Sequence, residues 1–352
     1  MTMQADTSVR SRADTRAGYP IEAHDLVKTY PKGVRALDGL SFAVPAGTVF
    51  ALLGPNGAGK STTVKILTTL AQADSGTATV AGLDVRARAA RVRHAIGVVA
   101  QRSGADPMAT GRENLLLTGR IQGLRGRGLA ARTDELLGRF DLAGAAGRLV
   151  RTYSGGMQRR LDVALGLINR PQVLFLDEPT AGLDPESRSA MWDEIGRLAA
   201  DDGLTILLTT HYLEEADRLA SHLVIVDRGR IVAEGTPDEL KGQLHGDAVH
   251  VELADHAERG RLLSALERVP TVREIRMDGA HVSARADEGA AALPAVLAAL
   301  DDAGLPVRAA SVARPSLDDV YLRHAGRRFA DADQHPASAA STASTASTGG
   351  AR

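Results

Sequence analysis

With 352 residues, 44% of them hydrophobic and 24% charged, the chain has the composition of an ordinary globular protein and the length of two domains. A net charge of -1 argues against a general polyanion or nucleic-acid binder, and the absence of cysteine excludes disulfides, thiolate metal sites and cysteine nucleophiles. The N-terminal text lacks the apolar core of a signal peptide and no run reaches the about 18 apolar residues needed to cross a bilayer, so any membrane role is expected to come through a partner.

Residues 1–20, polar and rich in Arg, Ser and Thr, are expected to form a disordered tail. From Ile21 to about Leu240, short apolar runs alternate with helical patterns: "TVFALLG", "IGVVAQ", "QVLFLDE", "LTILLTTH" and "LVIVDRGRIVAEG". Continuous apolar runs of this length predict strands buried on both faces of a parallel sheet, and therefore an α/β nucleotide-binding layer. From about residue 104 to 170 the pattern is helical, with "GRENLLLTGRIQGL" and "TDELLGRFDL" predicting an inserted helical subdomain that carries the helix beginning at Ser154. After a polar linker near Gly246 the order strand, helix, strand, strand, helix, strand predicts a small α+β domain over 246–325, with Pro294 in the first turn of its helix. "SLDDVYLRH" has, as its bland reading, a last amphipathic helix packing on that domain. Residues 326–352, low-complexity Ala/Ser/Thr, are expected to be a disordered tail.

Two segments of this plan point to phosphate. Gly54-Pro55-Asn56-Gly57-Ala58-Gly59-Lys60-Ser61 fits G-x-x-x-x-G-K-[ST] between a strand and a helix, the context this motif requires. Its glycines let backbone N–H groups face phosphates, Lys60 adds a cation, and the Ser61 hydroxyl suits Mg²⁺. Ser154-Gly155-Gly156 opens a second helix whose free N–H groups also suit an anion. Asp177 and Glu178 end an apolar strand at the carboxyl edge of the sheet, where open α/β sheets bind ligands; Asp177 suits a hold on Mg²⁺ and Glu178 suits polarising a water. Gln101 and His211 each follow a strand. Local hydrogen bonding is the ordinary fate of such residues, but their order suits contact with metal, water or γ-phosphate. Tyr30 either stacks on a base or packs within the protein.

Tyr30, the loop from Gly54 through Thr62, Gln101, "SGGM" at 154–157, "VLFLDEP", "AGLD" at 181–184 and His211 stand in the order found in ABC-transporter ATPase subunits, which residues 21–240 resemble. "TYSGGMQRRLD", "LTTHYLEEADRLA" and "SLDDVYL" are similar to the daunorubicin-resistance type of drug-exporter ATPase, a resemblance that extends into the C-terminal domain. The signature departs from the common pattern, with Tyr153 where many relatives have Leu and Met157 where many have Gln.

The resemblance implies a phosphate-loop ATPase with a helical subdomain, using ATP and Mg²⁺. Glu178, His211 and Gln101 would be catalytic, and Ser61, Gln101 and Asp177 would be on the metal side. Tyr30, the loop residues to Thr62, Ser154, Gly155, Gly156 and Asp184 would meet nucleotide. It further implies a head-to-tail homodimer in which one copy's signature closes the other's site, and transmembrane permease subunits that place the chain on the cytoplasmic face of the membrane and dock near Gln101 to Leu117. An importer subunit and a soluble ABC ATPase outside transport are the competing readings.

Overall fold

The computed structural model describes residues 18–244, 246–254, 259–326 and 329. The expected terminal tails fall outside these residues, apart from Gly18 to Pro20, Gly326 and Phe329.

An antiparallel pair, β1 (Ile21–Tyr30) and β2 (Val34–Val44), leads into β3 (Val49–Leu53), the phosphate loop and α1 (Lys60–Leu67). The chain returns to the first sheet as β4 (Ser75–Val80) and β5 (Leu83–Asp84), then passes through α2 (Ala89–Ala95) to β6 (Ile96–Val99). The helices α3 (Gly111–Ile121), α4 (Gly126–Arg139) and α5 (Gly155–Leu167) follow. Next come β7 (Val173–Asp177), α6 (Pro185–Ala200), β8 (Thr205–Thr210) and α7 (Leu213–Leu219), then the hairpin β9 (His222–Asp227) and β10 (Arg230–Gly235) and α8 (Pro237–Gly242). The remaining elements are β11 (Asp247–Leu253), α9 (Arg259–Leu266), β12 (Val272–Asp278), β13 (His281–Ala286), α10 (Gly289–Asp302), β14 (Val307–Ala313) and α11 (Leu317–Ala325).

The central sheet has the order β10-β9-β3-β8-β7-β6, and all its strands but β10 run parallel. Its apolar runs are unbroken because each strand feeds two cores. Val49, Ala51 and Leu53 face one core with Leu174, Leu176, Ile206 and Leu208, and the helical segment packs there. Phe50 and Leu52 face the other with Val173, Phe175 and Leu207, where α1 and the sheet β2-β1-β4-β5 lie. A strand buried on both faces needs no polar alternation.

The run "LVIVDRGRIVAEG" is two strands rather than one. Arg228 and Gly229 both have positive φ, the geometry of a tight two-residue hairpin, so β10 turns back antiparallel at the sheet edge. The first antiparallel sheet left no regular signal in the sequence, because register shifts in β1 after Ala23, Leu26 and Lys28 break its period of two.

The C-terminal sheet, β12-β13-β11-β14, packs against α9 and α10. Two expectations fail here. Pro294 is the sixth residue of α10, not a first-turn residue. The helix starts early because the Gly289 N–H donates to Asp247 Oδ2 at 3.0 Å, and Pro294 then leaves the Ala290 carbonyl without its helical donor. The second concerns "SLDDVYLRH". Rather than packing only on its own domain, α11 inserts Leu317, Val320 and Tyr321 into the core of the preceding domain, beside Leu223, Ala233, Leu240 and Leu244. Side-chain bonds to backbone hold α11 from both sides: Arg323 Nη1 donates to the Gln243 carbonyl of the preceding domain at 2.8 Å, and Arg276 Nη1 of β12 to the Leu322 carbonyl at 3.1 Å. The amphipathic pattern specified a buried face without saying which domain would cover it.

Candidate nucleotide site

The phosphate loop is built where β3 meets α1. At Gly54 any Cβ would run into the Val226 carbonyl oxygen, and at Gly59, with φ +114°, one would lie 2.6 Å from the Ala36 oxygen. Glycine is therefore required at both ends of the loop by close backbone approach. Lys60 begins α1 and folds back over the loop, its Nζ donating to the carbonyls of Gly54 at 2.6 Å and Pro55 at 3.2 Å. Ser61 and Thr62 follow in the same first turn.

Around Lys60 the other strand ends converge. Lys60 Nζ is 3.9 Å from Glu178 Oε1, His211 Nδ1 is 3.2 Å from the same oxygen, and Gln101 Nε2 donates to Oε2 at 2.9 Å. The His211 contact is close without being aligned as a hydrogen bond. Lys60 at the start of α1, Gln101 beyond β6 and His211 beyond β8, distant in the chain, thus share the carboxylate that follows β7. The His211 imidazole foremost, against the opposite push of burial, and then Lys60 and Gln101 hold the Glu178 carboxyl below the ordinary range. One residue earlier, Asp177 Oδ1 accepts from Thr209 Oγ1 at 2.5 Å and from Ser61 Oγ at 3.5 Å. Gln101 belongs to the Glu178 group rather than to this Ser61–Asp177 pair.

Glu178 itself has φ +49°, a left-handed backbone that a non-glycine residue holds only when its surroundings over-determine it. Its N–H donates to the Thr209 carbonyl at 3.1 Å. The adjoining carbonyls are gripped by Arg159, a residue the sequence reading passed over. Its signal was a charged side chain on the buried face of α5, in line with Gly156 and Val163. Thr209 was likewise missed, hidden in an apolar strand.

Ser154 caps α5, its Oγ accepting from the Met157 N–H at 3.2 Å, and Ser154 and Gly155 are exposed. Tyr153 fills the slot before them, with its hydroxyl donating to the Ala145 carbonyl at 2.8 Å, which explains how Tyr is accommodated there. Gly156 lies against Ser187, so the start of α5 adjoins the start of α6, capped by Asp184 through the Ser187 N–H at 2.9 Å. Backbone N–H donation from Ser187 holds the exposed Asp184 carboxyl below the ordinary range. Tyr30 lies half-buried at the tip of the β1–β2 hairpin, opposite Val34, while Ala36 and Leu37 of that hairpin reach the phosphate loop.

Comparison with known proteins gives the family. The family model described as ABC transporter matches residues 37–181, and that of the ATP-binding protein DrrA1-3-like C-terminal domain matches residues 235–325. The daunorubicin resistance ATP-binding protein DrrA2 of Streptomyces coeruleorubidus is 47% identical over 322 residues, covering 91% of this chain and 99% of its own length. The chain belongs to the ABC-transporter ATPases, in their daunorubicin-resistance branch. The Nod factor export ATP-binding protein I of Sinorhizobium fredii is 39% identical over 334 residues, covering 93% and 91%. Among solved structures, cbiO1 of Clostridium perfringens, described as part of the ABC transporter complex cbiONQ, is 25% identical with a TM-score of 0.60, covering 72% of this chain and 97% of its own.

This exporter ATPase is thus a nucleotide-binding, ATP-hydrolysing subunit. No helix among the described residues is long and apolar enough to cross a membrane.

Proposed function

We propose that this ATPase subunit hydrolyses Mg-ATP with Glu178 as the group that polarises the attacking water, and that it drives efflux of a hydrophobic drug through separate membrane-spanning subunits at the inner membrane face. The observation that carries the reading is the Glu178 carboxylate shared by Lys60, Gln101 and His211. Two strand ends and the start of α1 aim polar groups at one buried oxygen pair beside the phosphate loop.

The residues present suit both nucleotide and metal. The glycine-tight loop at Gly54 and Gly59 is a cradle that a Cβ would fill, and Lys60 supplies its cation. Ser61 and Asp177 offer hard oxygen donors at 3.5 Å from one another, the donor type that Mg²⁺ prefers, with Thr209 orienting the carboxylate. The bound metal would neutralise phosphate charge. Gln101 would orient Glu178 and the water, and His211 would donate toward the γ-phosphate. Glu178, kept ionised by its neighbours, acts chiefly by orienting and polarising the water.

The N-termini of α5 and α6 present Ser154, Gly155 and Asp184 outward, which supports a second copy as the group that completes the site. Relatives named for daunorubicin resistance match at higher identity than those named for Nod factor export, which favours a daunorubicin-like drug as cargo. Purification with the membrane partner and reconstitution into vesicles tests this. Drug transport dependent on ATP is expected, with Glu178→Gln abolishing it. A chain whose ATPase responds to no such drug, or whose Glu178→Gln form still transports, would overturn the reading.

A further inference from the structure

Arg159 lies five residues beyond Ser154 on α5, on the helix face turned away from solvent. Its guanidinium donates to backbone oxygens, with the buried Asp162 carboxylate 4.0 Å from Nη1. Nε donates to the Pro179 carbonyl at 2.6 Å, Nη2 to those of Asp177 and Glu178 at 3.0 Å each, and Nη1 to that of Ala100 at 2.7 Å. One side chain therefore clasps the carbonyls on both sides of Glu178, its own carbonyl, and the carbonyl preceding Gln101.

The far side of this turn is held separately. Thr180 Oγ1 donates to the buried Glu215 Oε1 at 2.7 Å, and Trp192 Nε1 to the same oxygen at 3.0 Å. Glu215 lies on α7, directly after His211. The turn that carries Glu178 is thus slung between a cation from the signature helix and an anion from the helix that follows His211.

We propose that Arg159 is a positioning residue for hydrolysis, transmitting the position of the signature helix to the pose of Glu178 and Gln101. Glu178 needs such a hold because its left-handed backbone is not self-maintaining. Planar, five-donor guanidinium geometry suits several carbonyls at once, whereas an ammonium on a flexible stem cannot reproduce that grip. The inference rests on the proposed shared site in one respect. If α5 closes over the nucleotide of a second copy, Arg159 carries the occupancy of that site to the carboxylate of its own.

Arg159→Lys and Arg159→Met in the full chain test it, with ATP affinity and ATP-dependent dimer mass measured on a Glu178→Gln background, so that binding is read without turnover. ATP affinity should stay within about 3-fold, since the Arg159 donors go to the carbonyls of Ala100, Asp177, Glu178 and Pro179 rather than to the phosphate loop. The hydrolysis rate at saturating ATP should fall by roughly 10²-fold, the scale of a misplaced reacting group, with KM little changed. Cooperativity in ATP should be lost if the wild-type chain shows it. Hydrogen exchange at the amides of Glu178, Thr180 and Ala181 gives a second readout. Mg-ATP should slow it in the Arg159 chain and not in the Arg159→Lys chain, a comparison that survives if Arg159→Met fails to fold.

Wild-type turnover in Arg159→Lys, or equal exchange protection in both chains, would overturn the role. Failure of the shared-site reading looks different: ATP would produce no dimer even with Arg159 intact. The rate and exchange readouts would then decide the positioning role within one chain.

Discussion

Arg285 Nη2 on β13 lies 3.3 Å from Asp319 Oδ2 on α11, and both side chains are buried. Asp319 also closes the helix start, accepting from the Ser316 N–H at 2.9 Å. The pair fastens the small domain to the helix that inserts into the ATPase core. Removing one member leaves a buried charge uncompensated, which costs about 3 to 5 kcal/mol. Asp319→Ala is therefore expected to lower the melting temperature sharply, whereas Asp319→Asn, which retains the cap, should cost less. Equal melting of Asp319→Ala and wild type would show the pair to be dispensable.

Truncation before Ser316 should damage the ATPase domain although every one of its own strands is retained. Leu317, Val320 and Tyr321 are at most 2% exposed, and each fully buried apolar side chain contributes about 1.5 to 3 kcal/mol. The shortened chain is expected to melt earlier and to bind ATP less well at 37 °C; calorimetry with and without Mg-ATP checks this. An unaltered ATP-bound transition would mean α11 contributes nothing to that core.

Glu178→Gln should preserve ATP binding and reduce hydrolysis by about 10² to 10⁴, because the amide keeps the shape but not the charge that polarises water. The same substitution has a pH signature. Neighbouring His211, Lys60 and Gln101 depress the Glu178 carboxyl, so its ionised form stabilises the fold above the ordinary carboxylate range. That contribution disappears as pH falls through the depressed value. The stability difference between wild type and Glu178→Gln should accordingly narrow on acidification, as followed by denaturant melts across the acid range. A difference that grows toward low pH would contradict the sign of the interaction.

Lys60→Ala removes the cation that folds across the loop carbonyls of Gly54 and Pro55. Nucleotide affinity should drop, by at least about 10-fold for a charge-assisted contact, as titration calorimetry with Mg-ATP would read. Unchanged affinity with unchanged hydrolysis would remove Lys60 from the site.

The strand ends were legible because a parallel sheet leaves a plain record: unbroken apolar runs ending in Gly54, Gln101, Asp177 and His211. Motif spacing then placed Lys60 and Glu178 near the same ligand, and the structure brings their side chains into contact. The roles of Arg159 and Glu215 were not legible, since the groups they hold at the Glu178 turn are backbone carbonyls, a hydroxyl and an indole N–H far away in sequence; the local trace was only a charged side chain on the buried face of α5. The docking of α11 was hidden for a related reason. Periodicity reports that a helix has a buried face, and only the tertiary fold decides what covers it.

The exposed start of α5 offers the sharpest test of how many copies make one site. Ser154 and Gly155 face outward beside the Asp184 cap, whereas the phosphate loop lies at the end of β3. Because the chain has no native cysteine, Ser154→Cys together with Gly57→Cys introduces its only thiols. A disulfide needs Cα atoms within about 7 Å, so the bond reports closeness directly. With sites shared head to tail, ATP should promote a disulfide between chains, visible as a doubled mass on a non-reducing gel, and Glu178→Gln should raise the yield by prolonging the ATP-bound state. Each single-cysteine chain serves as a control, since a Ser154 or Gly57 thiol that pairs with its own counterpart would expose random collision. A bond confined to one chain, or one indifferent to ATP, would sink the shared-site model, because Ser154 would then meet the loop without a second copy or without the nucleotide that is meant to join them.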